Sequence, residues 1–176
     1  MVKKKCIFLD RDGVLNRSII RKNKAYAPTN INQFYFFPKV KMAIKKLQKK
    51  FKLVIISNQP DVGKKKIKLQ EIKKMNNKIT SELKINDIYY CFHKQSQSCK
   101  CRKPNTLLFI KAIKKFNIDV KKSYMIGDRK SDIDAGINIG CKTVFIERKY
   151  NEKKPNNYTF LAKNLHHATE RILRKL

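Results

Sequence analysis

The chain has no apolar run that approaches the ~20 residues a membrane-spanning helix needs. Its basic start, Met1 to Lys5, leads only into the apolar tetrad Cys6 to Leu9, which is too short for the core of a signal peptide. No internal repeat and no linker divides it. These absences lead to the expectation of a cytoplasmic protein with no membrane partner, built as one domain over residues 1–176, a length sufficient to bury a core. Acidic residues are scarce too: 13 Asp and Glu stand against 43 Lys and Arg, for a formal net charge of +30. The composition, 41% hydrophobic and 10% aromatic, is that of a globular protein and excludes a disordered chain.

A charge of this size raises a nucleic-acid partner first, because Lys and Arg neutralise phosphates and release counterions. Two features weigh against a specific one. Only 8 of the 43 basic residues are Arg, and the lysines are spread along the chain instead of forming one block. Lys, Asn and Ile, all abundant here, have AT-rich codons, so base composition is a sufficient source. Net charge speaks to non-specific binding and not to fold or site. The expected partner is a small phosphorylated metabolite, and the expected state a monomer.

Cysteine is sparse and odd in number, at five. Structural disulfides are not expected in a cytosolic chain. Three of the five, Cys91, Cys99 and Cys101, fall close together beside His93. Three thiolates and one imidazole make a closed four-ligand set, which suits a structural Zn²⁺ and leaves no open position for catalysis. Cys6 and Cys141 read as small buried hydrophobes beside strands.

Short apolar runs at 3–9, 53–56, 88–91, 124–126 and 143–146 read as buried strands. Between them, apolar residues at helical spacing mark 39–50, 67–83, 105–117 and 131–139, with a last helix expected over 161–176. Residues 17–38 read as an irregular excursion and 91–104 as a loop. Strands alternating with helices predict an α/β fold, a three-layer Rossmann-like parallel sheet with no large cap domain. Ligands bind such sheets at the carboxyl ends of the strands.

Asp10–Arg11–Asp12, Ser57–Asn58 and Gly127–Asp128 each follow one of these strands directly, so all three meet at one edge of the sheet. Any one of them alone would read as a turn or helix cap. Together they bring Asp10 and Asp128 into a pair that repels unless a cation lies between, and Mg²⁺ suits a few hard oxygen ligands shared with a phosphate. Asp10 could then attack phosphorus, Asp12 could protonate the leaving oxygen and activate water, and Ser57 and Lys103 could hold the phosphoryl oxygens.

Four segments in order, Phe8–Asn16, Ile56–Gln59, Lys103 and Gly127–Asp132, resemble the motifs of the haloacid dehalogenase superfamily. The resemblance implies Asp10 as nucleophile through an aspartyl-phosphate and Asp12 as acid and base. It implies Mg²⁺ held by the Asp10 carboxylate, the Asp12 backbone carbonyl and the Asp128 carboxylate, with Asp132 supporting from behind. The cysteine loop running into Cys101–Arg102–Lys103–Pro104 is similar to that of the D-glycero-D-manno-heptose 1,7-bisphosphate phosphatases and the related histidinol-phosphate phosphatases. That likeness implies Arg102 and Arg129 at the substrate and Lys103 at the phosphoryl group, with Arg11, Asn58 and Gln59 as further substrate contacts from the motifs. The implied reaction is removal of the C7 phosphate from heptose 1,7-bisphosphate; histidinol phosphate and the 3′-phosphate end of a nucleic acid are the alternatives. The sequence departs from the heptose pattern at Pro60–Lys64, at Asn105–Leu107 and over Arg17–Tyr26.

Overall fold

The computed structural model describes residues 2–176. Six strands form one sheet: β1 (Cys6–Leu9), β4 (Lys52–Asn58), β5 (Asp87–Cys91), β6 (Tyr124–Gly127), β7 (Lys142–Ile146) and β8 (Phe160–Ala162), in the order β5-β4-β1-β6-β7-β8. Every neighbouring pair is parallel, with Phe8 level with Val54 on one side and Met125 on the other. The chain leaves β1 for β4 on one side and later crosses to β6 on the other. That reversal opens a crevice at the carboxyl end of β1, where doubly wound sheets bind ligands.

Side chains alternate across a strand, so β1 sends Ile7 and Leu9 to one face and Cys6 and Phe8 to the other. The first face packs under α1 (Val40–Leu47), α3 (Leu69–Leu83) and α6 (Leu165–Leu173), through Ile44, Met75, Ile79 and Ile172. The second packs under α4 (Leu107–Phe116) and α5 (Lys130–Asn138). There Phe8 meets Phe109 edge to face at 5.2 Å, a favoured aromatic geometry. The expected three layers are therefore present.

Three elements differ from the sequence reading. The excursion after β1 contains an antiparallel hairpin, β2 (Ile19–Arg21) and β3 (Lys24–Tyr26). Its turn residues Lys22 and Asn23 both have positive φ, 48° and 60°, the conformation of a two-residue hairpin turn. The usual glycine is absent, and three-residue strands give too few alternations to read. A four-residue helix, α2 (Pro60–Gly63), starts on the proline just past β4, a favoured first position. Phe160–Ala162 is a sixth strand, so the last helix begins only at Leu165, capped by Asn164, whose Oδ1 accepts from the His167 N–H at 2.9 Å.

Candidate active site and metal centres

The loop after β1 folds back on itself: the Gly13 N–H donates to the Asn16 carbonyl at 2.8 Å and the Leu15 N–H to the Arg11 carbonyl at 2.9 Å. This turn presents Asp10 at the sheet edge. Its carboxylate accepts a hydrogen bond from Lys103 Nζ at 2.7 Å. The same ammonium lies 2.6 Å from Asp132 Oδ1 and donates to the Ile56 carbonyl at 2.6 Å. Lys103 is held in place by Asn58, which exchanges two hydrogen bonds with its backbone, at 3.0 and 3.2 Å. Asp132 is fixed in turn by the Arg129 N–H at 3.0 Å, as a capping residue in the first turn of α5.

Asp10, Asp128 and Asp132 bring carboxylate oxygens within 4.8 Å of one another, and all three are buried. Lys103 pairs with Asp10 and Asp132, while Asp128 has only the through-space pull of the Arg129 and Arg148 guanidiniums. Both Asp128 oxygens are buried with no hydrogen-bond partner. Burial first, then Asp10 and Asp132, drive the Asp128 carboxyl well above the ordinary carboxylate range. Burial pushes Asp10 up to about 6, against the pull of Lys103. Burial alone would lower Lys103, but Asp10 and Asp132 outweigh it and hold its pKa above the usual value. Orphaned acceptors on clustered, buried carboxylates fit a small divalent cation with oxygen ligands.

Asp12 lines the same cleft with its carboxylate held by neighbouring donors. It accepts from Gln59 Nε2 at 2.6 Å, from Asn16 Nδ2 at 2.8 Å and from Arg11 Nη2 at 3.0 Å. Gln59 also donates to Ser57 Oγ at 2.9 Å, linking the end of β4 to Asp12. Arg11, expected at the substrate, is instead fully buried. Its guanidinium sits 5.8 Å from both the Phe34 and Tyr90 rings and gives Nε and Nη2 to Asp12, while Nη1 is buried without a partner.

A cleft of about 230 Å³ opens over Asp10 and Asp12. Asn58, Gln59, Arg102, Lys103 and Arg129 line it, joined by Asp61, Lys64, the β3 residues Ala25 and Tyr26, and Ala27 just past them. Arg102 presents a buried Nη1 without a partner. Arg129 is braced by the Ala25 carbonyl at 2.8 Å and by Glu152 at 3.4 Å, which ties the hairpin to the cleft wall. Lys64 and the hairpin fall within stretches that depart from the heptose pattern, Pro60–Lys64 and Arg17–Tyr26. Lys64 lies five residues past Gln59, as the residue that closes α2.

Cys91, His93, Cys99 and Cys101 converge as their spacing suggests. The sulfur–sulfur distances are 3.2–3.5 Å and His93 Nδ1 lies 3.1 and 3.7 Å from Cys101 and Cys91. A tetrahedron with Zn–S bonds of ~2.3 Å has comparable edges. Burial pushes the Cys91 thiol up to about 12, and a bound cation would offset that cost. This donor set and geometry suit Zn²⁺. Arg102 and Lys103 follow Cys101 directly, so the cluster anchors two of the cleft's cations.

A family model described as HAD-hydrolase-like matches residues 100–170. A D-glycero-beta-D-manno-heptose-1,7-bisphosphate 7-phosphatase of Haemophilus ducreyi is 35% identical over 158 residues, which is 82% of this chain and 84% of that protein. A D-glycero-alpha-D-manno-heptose-1,7-bisphosphate 7-phosphatase of Campylobacter jejuni is 33% identical over 170 residues, 93% of each chain. Among solved structures, the D,D-heptose 1,7-bisphosphate phosphatase of B. bronchiseptica, complexed with magnesium and phosphate, has the same fold, with a TM-score of 0.84 over 98% of this chain and 99% of that one at 20% identity.

Proposed function

We propose that this chain, which belongs to the haloacid dehalogenase-like phosphatases and within them to the heptose-1,7-bisphosphate 7-phosphatase family, removes the C7 phosphate of a D-glycero-D-manno-heptose 1,7-bisphosphate with Mg²⁺ and an aspartyl-phosphate on Asp10. The observation that carries the reading is the buried Asp10–Asp128 pair, with both Asp128 oxygens lacking a donor beside a cleft lined by Lys64, Arg102, Lys103 and Arg129.

Asp10, Asp128 and the Asp12 backbone carbonyl would hold the Mg²⁺. When bound, that ion would offset the charge that the carboxylates and the phosphoryl group bring together. A carboxylate oxygen of Asp10 forms a bond to phosphorus as the bond from phosphorus to the C7 oxygen breaks. Asp12 gives its proton to the departing oxygen. It then takes a proton from water, whose oxygen attacks the phosphoryl group and frees Asp10 and inorganic phosphate. Gln59, Asn16 and Arg11 keep the Asp12 carboxylate aimed along the cleft. Lys103 and Ser57 steady the phosphoryl oxygens, where the transition-state charge is spread. Arg102, whose Nη1 is unpartnered, and Arg129 receive the rest of the substrate, with Asn58 and Gln59 at the cleft wall. The Cys₃His cluster is read as a structural Zn²⁺ site that fixes the Arg102–Lys103 segment.

The test is phosphate release, with and without Mg²⁺, from both anomers of heptose 1,7-bisphosphate, from histidinol phosphate and from a 3′-phosphorylated oligonucleotide. The heptose bisphosphates should be turned over fastest, and the D10N protein should stay folded with no turnover. Appreciable activity in D10N would reject the nucleophile, and a faster oligonucleotide reaction would reject the substrate class.

A further inference from the structure

Arg148 lies just past the end of β7, the same kind of position that carries Asp10 and Asp128 on their strands, yet it takes no part in the reaction above. Its Nε and Nη2 both donate to one acceptor, the Gly13 carbonyl, at 2.9 and 2.7 Å. Its guanidinium lies 4.1 Å over the Phe37 ring. Phe37 in turn donates its N–H to the Leu15 carbonyl at 2.9 Å, so ring and guanidinium grip the same loop at two places.

That loop is pressed against Asp128. A Cβ on Gly13 would fall 1.9 Å from Asp128 Oδ2, so backbone and carboxylate touch with no side chain between. Arg148 feels the Asp128 charge but makes no hydrogen bond to it. A guanidinium beside a buried carboxylate ordinarily closes a two-pronged pair with it. Here the prongs are spent on a carbonyl, and the Asp128 lone pairs stay free.

We infer that Arg148 is a positioning residue: by clamping the Gly13 carbonyl it sets the gap between the Asp10–Asp12 loop and Asp128, the two halves of the cation site, without using the oxygens that the cation needs. This rests on the phosphatase reading above. Tyr150, two residues on, also stands near Asp128, and its hydroxyl donates to Ser18 Oγ at 3.3 Å.

The test compares R148K, which keeps the charge and loses the fork, with R148M, which loses both. Mg²⁺ affinity is read by calorimetry, kcat and KM at saturating Mg²⁺, and exposure of residues 10–16 by amide hydrogen exchange. Both variants should bind Mg²⁺ more weakly by roughly tenfold, the scale on which supports behind metal ligands act. Both should lower kcat with KM little changed and speed exchange in the loop. If R148M does not fold, the half-buried site makes R148K the decisive variant. R148K matching the parent while R148M binds Mg²⁺ more tightly would mean that only charge matters, which overturns the inference. A lowered melting point with Mg²⁺ affinity and kcat intact would overturn it as well. A parent protein that neither binds Mg²⁺ nor releases phosphate removes the phosphatase reading itself. Unaffected variants of an Mg²⁺-binding parent remove this inference alone.

Discussion

Replacing Gly13 with alanine separates backbone strain from damage to the cation site, because Gly140 provides an internal control. Both glycines have positive φ, 86° at Gly13 and 79° at Gly140. A Cβ in that region costs roughly 1–2 kcal/mol. At Gly140 the new methyl would meet nothing within 4 Å, so strain is the whole cost. At Gly13 it would stand 1.9, 2.4 and 2.9 Å from three Asp128 carboxyl atoms. Ordinary contact begins near 3.4 Å, so the carboxylate must retreat by more than 1 Å into packed surroundings. Overpacking of that kind adds about 1–3 kcal/mol. A displacement of about 1 Å in a reacting constellation costs on the order of 10²-fold in rate. G140A should therefore melt about 2–8 °C lower, taking about 2–4 °C per kcal/mol for a chain of this size, with Mg²⁺ affinity and kcat intact. G13A should melt lower still and lose both Mg²⁺ binding and turnover. Differential scanning calorimetry with Mg²⁺ titrations reads both quantities. A G13A protein with parental Mg²⁺ affinity would refute the argument that Asp128 and this loop share one cation.

Two further perturbations address the cations around the cleft. Lys103→Met removes the ammonium shared by Asp10 and Asp132, and breaking a buried pair costs about 3–5 kcal/mol; thermal melts should show that loss, partly recovered on adding Mg²⁺, and phosphate release should be abolished. Stripping zinc with a zinc-selective chelator should lower the melting point and suppress turnover even in excess Mg²⁺, because Arg102 and Lys103 follow Cys101 directly; verified zinc loss with unchanged kcat would separate the cluster from the cleft.

Much of the architecture was legible because it is written in local periodicity. Runs such as Leu53–Ile56 and Tyr124–Ile126 are buried on both faces, and continuous apolar runs mark such strands. The helices carry clear apolar faces, as at Ile72, Met75 and Ile79. The hairpin was hidden because its strands are three residues long and its turn is built from Lys22–Asn23 in place of the usual glycine. β8 was hidden because Phe160–Ala162 runs into the apolar face of α6, and the Asn164 cap between them is a single residue. The burial of Arg11 was hidden for a different reason. Its neighbours in sequence are site residues, but its partners Phe34 and Tyr90 lie far along the chain, and they bury it.

By itself the sequence decided the alternation of strands and helices behind the layered parallel sheet, the acidic pair at strand ends and the four-ligand cysteine loop, since strand period, helix period and ligand spacing are short-range properties. Only the tertiary structure decided that Lys103 bridges Asp10 and Asp132, that Asp128 keeps two free oxygens against a bare glycine, and that Arg148 spends its donors on that glycine. Those outcomes turn on distances between residues 29 to 135 positions apart, set by how the sheet and its loops pack and invisible to any local pattern.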